Sequence, residues 1–355
     1  MTSQAPASQT PAQQHGRDEP RLPRACADPL DTAYDVALLD LDGVVYLGGT
    51  AIPGAAQALR KADAAGMRLA YVTNNAFRTP AAIAALLTSF GAPATAQDVV
   101  TSAQAAARLL AERLPAGAAV LVVGGSSLRM AVRERGLRPV STALDRPQAV
   151  VQGYWPDLSY SLLAEGGLAV AAGALFVASN ADLTLPTRYG IQPGNGSFIQ
   201  VIATATGVRP LVAGKPELPL QHESILRTGA THPLVVGDRL DTDIESAQRA
   251  DADSLLVLTG VTSPADAILA PPLQRPTYLA EDLAGLLGPH PEVTSTGGTY
   301  RCGGWTASRD GGQLKLAGGG ARIDGLRALC AAAWTGDDVT SESARAAAQR
   351  LDAAR

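Results

Sequence analysis

Asp40 and Asp42 stand two residues apart where an apolar run, VALLDLDG, meets a glycine. A strand over that run turns both carboxylates to one face, because side chains alternate with a period of two. They then sit at the carboxyl edge, where open α/β sheets bind ligands. Two carboxylates in one pocket repel, so they need a cation, a shared proton, or a division into nucleophile and acid/base. Gly43 lets the backbone turn closely over a ligand. In VVGDRLDTDI, Asp238 again ends an apolar run, and Asp241 and Asp243 follow in the loop leading to a helix. An oxygen-rich, histidine-poor set of this kind suits Mg²⁺. Zinc would want the imidazoles and thiolates that these segments lack.

Thr73, ending RLAYVT, offers a hydroxyl and backbone N–H groups to phosphate oxygens, and Asn74 and Asn75 follow it as further donors. Lys215, in AGKPE, offers a mobile positive charge. The only lysines are Lys61, Lys215 and Lys315, so one kept in a short loop is a candidate for required chemistry. Asparagine is as rare, occurring at Asn74, Asn75, Asn180 and Asn195; the last also reads as a turn residue in PGNG. Like charges about 4 Å apart cost about 4 kcal/mol at an effective dielectric near 20, which opposes attack by Asp40 on a phosphate dianion. Lys215 and Mg²⁺ would offset that repulsion. Taken singly, a DxD pair is more often a solvated surface feature and a strand-ending threonine a turn residue. Order and spacing together carry the reading.

These residues need a sheet to hold them. Short apolar runs at Val36–Asp40, Arg68–Val72, Pro233–Asp238 and Ser254–Gly260 read as strands. Helical stretches at Gly54–Ala65, Pro80–Ser89 and Thr242–Ala250 alternate with them, which predicts an α/β fold with a Rossmann-like parallel-sheet core. The core is expected over residues 34–101 and 208–289, with an inserted α/β domain at 102–207 that has its own strands, AVLVVG and AVVQG. Residues 290–355 change character: glycine pairs, a hairpin in GWTASRDGGQLKLAG, then helices at Arg322–Trp334 and Ser341–Ala354 predict a small C-terminal βα extension.

With 355 residues and 46% hydrophobic content, the chain has enough apolar sequence for a large core and a second domain. A net charge of −4 and no long basic run give no field for a nucleic-acid backbone or an acidic membrane, so neither is expected as a partner. Cys26, Cys302 and Cys330 form neither a CxxC pair nor an even set, which fits a reducing cytoplasm. Residues 1–33, rich in Ala, Gln, Pro and Ser, read as a disordered leader without a signal peptide or membrane span.

In that order, DLDG, VTNN, GKPE and GDRLDTD resemble the four motifs of the haloacid dehalogenase superfamily, over about Asp35 to Leu287. The resemblance implies Asp40 as nucleophile, Asp42 as general acid/base, and Thr73 and Lys215 as phosphate binders. It also implies Mg²⁺ on Asp40, the Asp42 carbonyl and Asp238, with Asp243 orienting a metal-bound water or supporting Lys215. Asp241 is expected at the surface. The insert, with SNADLTLPT and PGNGS, resembles the large α/β cap of the nitrophenyl, phosphoglycolate and pyridoxal phosphatases. That places Asn180, Asp182 and Arg188 near the substrate, beside the substrate-binding candidates Gly43, Asn74 and Asn75 of the core, although Asp182 equally suits a turn. QGYWPD, GDRLDTDIE, SLLVLTGVT and the tail resemble actinobacterial members that include a glycerol 3-phosphate phosphatase.

The expected partner is therefore a small phosphorylated metabolite, with glycerol 3-phosphate first and phosphoglycolate, nitrophenyl or pyridoxal phosphate as alternatives. A phosphomutase or a non-catalytic phosphometabolite-binding protein would share the core. Asp42 argues against a dehalogenase, which has no ester oxygen to protonate. The tail has been likened in such relatives to part of an acetyltransferase fold. It shows no glycine-rich cofactor loop of the kind that acetyl transfer would need, so packing or homo-oligomer formation is its expected role.

Overall fold

The computed structural model describes residues 22–187 and 189–353. Val36–Leu39 is buried at all four positions, as a parallel strand covered on both faces must be. It pairs in parallel with Arg68–Thr73 on one side and Pro233–Gly237 on the other. Val99–Thr101 lies beyond the first neighbour, and Asp253–Val257 then Tyr278–Ala280 beyond the second. From Val36–Leu39 the chain builds outward first to one side and later to the other, so a topological switch point falls at Asp40. Because the strands are parallel, Asp40, Thr73 and Asp238 come to the same edge on three adjacent strands.

Local sequence starts the helices that return the chain. Thr79 caps Pro80–Ser89 through its side-chain oxygen, with Pro80 at the first helical position. Thr101 and Gln104 form a reciprocal capping box at Ser102–Ala111. The stretch expected as a helix from Thr242 opens instead with a π-turn, Leu240–Ile244, before Glu245–Arg249. That extra residue per turn sets the direction of Asp243.

A second parallel sheet runs in the order Leu211–Val212, Leu175–Ala178, Ala149–Gln152, Ala119–Val123, Arg138–Val140. The insert was expected to end at residue 207; Leu211–Val212 carries its sheet further, in a strand of two residues that is too short to read from periodicity. The faces of the two sheets that look toward each other share one apolar cluster, in which Val36, Leu38 and Val72 join Val120, Val122 and Val151 through Ala103, Ala106, Leu110 and Leu220. Glu223 adds a buried ionic tie, pairing with Arg108 and Arg135. Leu121, Val123, Val150, Phe176 and Ile202 form a separate core on the far face of the second sheet.

The tail is a four-stranded antiparallel sheet, Thr294–Thr296, Thr299–Cys302, Trp305–Asp310 and Gln313–Gly318, followed by helices Arg322–Trp334 and Ser341–Ala353. Its Trp305, Leu326, Leu329 and Trp334 pack with Ile244, Leu256, Ala267 and Leu279 of the first domain. Arg327 donates to the Leu279 carbonyl at 2.6 Å and Trp334 Nε1 to the Ala267 carbonyl at 3.1 Å.

The leader expected through residue 33 needs correction. Leu30 is fully buried in the short helix Leu30–Ala33, and Cys26 exchanges backbone hydrogen bonds with His290 at 2.9 and 2.8 Å. One well-placed leucine and a backbone bridge anchor a segment whose composition hides both. The rest of that expectation, residues 1–21, lies outside the described residues. Among the described residues, no helix is long and apolar enough to cross a membrane.

Candidate active site

Asp40 immediately follows its strand and continues the ladder, its N–H donating to the Val236 carbonyl at 2.8 Å. Its Oδ1 accepts from Lys215 Nζ at 2.5 Å. Lys215 is only 4% exposed, and Nζ also donates to Asp243 Oδ1 at 2.6 Å and to the Val72 carbonyl at 3.2 Å. The π-turn aims Asp243 at this ammonium, and its second oxygen accepts from the Arg239 N–H at 3.2 Å. Asp238 is fully buried, with Oδ2 accepting from the Val261 N–H at 2.6 Å. Its Oδ1 has no partner among the described residues.

Asp40, Asp238 and Asp243 each offer an oxygen within 4.8 Å of the others. Three carboxylates thus face one ammonium. Burial pushes the Asp40 carboxyl well above the usual range; Lys215 opposes that shift, while Asp243 and Asp238 add to it. Asp238 is pushed up to about 7 by burial and by Asp243. Burial alone would lower the Lys215 ammonium, but Asp243 and Asp40 hold it above its ordinary value. An unpartnered buried oxygen, an excess of negative charge and an all-oxygen donor set together fit a hard divalent cation. Both Asp243 oxygens are engaged by protein donors, so its first task here is to hold Lys215.

Gly43 shows how tightly this pocket is drawn. Its φ of 83° is a left-handed conformation, and a Cβ there would overlap the Asp238 carboxylate. Asp42 is an exposed residue outside the three-carboxylate cluster. The protein around it pushes its carboxyl above the usual range, opposed by the charge of Arg78 and a hydrogen bond from the Tyr46 hydroxyl.

Thr73 ends its strand almost fully buried, its hydroxyl accepting from the Asn75 N–H at 3.1 Å. Asn75 folds the loop behind it, its Oδ1 accepting from the N–H groups of Phe77 and Arg78 at 2.9 and 2.8 Å. Asn74, Asn180 and Asp182 come together at the domain junction, with Asn74 Nδ2 donating to Asp182 at 3.2 Å and Asn180 Nδ2 to the Asn74 carbonyl at 2.8 Å. Asp241 is at the surface, paired with Arg239 at 2.8 Å. Arg188 lies outside the described residues.

Sequence reasoning missed four contributors: Tyr46 and Arg78 facing Asp42, the Val72 carbonyl on Lys215, and the Val261 N–H on Asp238. Tyr46 alone left a signal, an aromatic hydroxyl four residues past Asp42. The two backbone groups carry no side-chain signature.

Known proteins resemble this chain in sequence and fold. A family model for haloacid dehalogenase-like hydrolases matches residues 37–138, one described as HAD-hydrolase-like matches 212–286, and one for a GCN5-related N-acetyltransferase-like domain matches 302–354. The D-glycerol 3-phosphate phosphatase of Mycobacterium tuberculosis is 51% identical over 253 residues, covering 71% of this chain and 71% of that protein. A crystal structure of glycerol phosphate phosphatase from the same organism, in complex with magnesium, superposes with a TM-score of 0.82 at 44% identity, covering 91% of this chain and 99% of the other. A thermostable NPPase from Geobacillus stearothermophilus matches at TM-score 0.64 and 34% identity, over 70% of this chain and 96% of its own.

Proposed function

The chain belongs to the haloacid dehalogenase-like hydrolases, and from that premise we propose that it is a D-glycerol 3-phosphate phosphatase working through an aspartyl-phosphate on Asp40. It is a Mg²⁺-dependent phosphoric monoester hydrolase of a small phosphorylated metabolite. The observation that carries the site assignment is the partnerless Asp238 oxygen beside two more carboxylates that share one buried lysine.

Asp40 attacks phosphorus as the ester oxygen leaves on the opposite side, so an Asp40 carboxylate oxygen gains the P–O bond that the substrate loses. Asp42 donates its proton to the departing oxygen. It then takes a proton from the water that attacks the phosphorylated Asp40, which returns both carboxyl groups to their starting states. The Arg78 charge and the Tyr46 hydroxyl favour the ionised form of Asp42, the form that takes up the water's proton. Lys215 and the hydroxyl of Thr73 bind the phosphate oxygens, and Asp243 keeps the Lys215 ammonium charged and oriented. Asp40, the Asp42 carbonyl and Asp238 would hold Mg²⁺, which when bound neutralises charge on the transferring phosphoryl group. The inserted domain, which shares an apolar cluster with the first sheet, closes over the phosphate and excludes water.

Phosphate release from D-glycerol 3-phosphate, phosphoglycolate, pyridoxal phosphate, sugar phosphates and nitrophenyl phosphate, each with Mg²⁺ and with chelator, tests the reading. The expected result is Mg²⁺-dependent release with the highest kcat/KM for D-glycerol 3-phosphate. A different preferred ester moves the substrate. No Mg²⁺-dependent release from any of them removes the activity.

A further inference from the structure

The carboxamide of Asn74 spans the main chain of Lys215. Its Oδ1 accepts from the Lys215 N–H at 2.8 Å, and its Nδ2 donates to the Lys215 carbonyl at 3.1 Å. The same Nδ2 lies 3.2 and 3.3 Å from the two carboxylate oxygens of Asp182 in the inserted domain. The backbone of Asn74 is tied to that domain as well, its carbonyl accepting from Asn180 Nδ2 at 2.8 Å and from Ser102 Oγ at 2.6 Å. Asn180 in turn receives the Asp182 N–H on Oδ1 at 3.2 Å and Asn195 Nδ2 on its carbonyl at 2.7 Å. There is no slack in this junction: a Cβ at Gly214 would stand 2.5 Å from Asn74 Oδ1 and 2.7 Å from the Ser179 carbonyl.

Both polar atoms of the Asn74 side chain are therefore spent on protein partners. What they fix is the segment whose ammonium reaches Asp40 at 2.5 Å. We propose that Asn74 is a positioning residue and not a phosphate ligand: its carboxamide sets the Lys215 main chain and ties it to Asp182, so that seating the inserted domain and placing the ammonium against Asp40 are one event. The inference rests on the role given to Lys215 above. A misplacement of about 1 Å in a catalytic group costs on the order of 10²-fold in rate, so the clasp is read in turnover.

Steady-state kinetics and thermal unfolding of Asn74→Ala, Asn74→Asp and the reciprocal pair Asn74→Asp/Asp182→Asn test it, with Lys215→Ala alongside. Asn74→Ala is expected to lower kcat about 10²-fold for glycerol 3-phosphate and nitrophenyl phosphate alike, with KM changed far less. Asn74→Asp sets two carboxylates face to face and falls further. The reciprocal pair, with the amide now on residue 182, recovers at least about tenfold over Asn74→Asp, the worth of one restored hydrogen bond to a charged group. Three outcomes overturn the inference: a raised KM with unchanged kcat, a lowered Tm with unchanged kcat, or a reciprocal pair no better than Asn74→Asp. If Lys215→Ala keeps full turnover, the role of Lys215 itself fails. If Lys215→Ala is inactive and Asn74→Ala turns over normally, only the clasp fails.

Discussion

An oxygen with no partner in a closed pocket costs free energy until something binds it, and Asp238 Oδ1 is such an atom. Its carboxyl, pushed up to about 7, holds a proton in the metal-free fold that the unfolded chain releases near pH 4. The contribution of Asp238 to metal-free stability should therefore fall as pH rises from about 4 to about 7. A cation competes with the proton for the same oxygen, so the rise in Tm on adding Mg²⁺ should be larger at pH 8 than at pH 6. Thermal scans with Mg²⁺ and with chelator check this; an equal rise at both pH values counts against Asp238 as a ligand. Asp40→Asn should abolish measurable turnover yet unfold no earlier than the parent in chelator, because it removes one of three mutually repelling carboxylates. At this scale the sequence was readable where a residue type and a strand end coincide, as at Asp40, Thr73 and Asp238. It was silent on the clasp, because Asn74 and Lys215 meet across 141 residues and nothing in either local motif marks the contact.

Among the elements, the helix Leu218–Thr228 does more than follow Lys215, since its Glu223 is wholly enclosed between Arg108 and Arg135. Cutting one side of a buried ion pair costs about 3–5 kcal/mol when the partner is trapped. Both arginines retain a path to water, so Glu223→Ala should cost about 2–3 kcal/mol by denaturant midpoint. A second prediction belongs to the seam between tail and core. His290 Nδ1 lies 3.1 Å from Arg327 Nη2, and Nε2 lies 2.9 Å from the Gly285 carbonyl. Burial, aided by the Arg327 charge, keeps the ring neutral by holding its pKa below the ordinary value. A depressed histidine contributes stability that is present above about pH 6.5 and is lost as pH falls. With Mg²⁺ saturating, Tm should drop between pH 7 and 5.5, and His290→Asn should flatten that drop. Periodicity revealed the long strands and helices. It missed Leu211–Val212 and the π-turn, where two residues or one decide the geometry and no pattern can repeat.

For the molecule as a whole, one apolar cluster joins the inserted domain to the first sheet. The tail likewise covers Leu256 and Leu279 on the first sheet, a face that would otherwise meet water. Ending the chain after residue 288 uncovers that face, so the truncated protein should aggregate on expression while Asp40→Asn in the full chain does not; pelleting assays distinguish the two. The tail's composition showed that it was a separate module. Its docking rests on Arg327 and Trp334 reaching backbone carbonyls far away in sequence, and so had no local trace. The placing of Val36–Leu39 between Arg68–Thr73 and Pro233–Gly237 also sets a clock. A ribosome adding about 5–20 residues per second exposes Asp40 some 10–40 s before Asp238. During that interval one edge of the central strand stays open, the inserted sheet can form, and the nascent chain carries Asp40 before the two carboxylates that meet it in the folded site, Asp238 and Asp243, have been made.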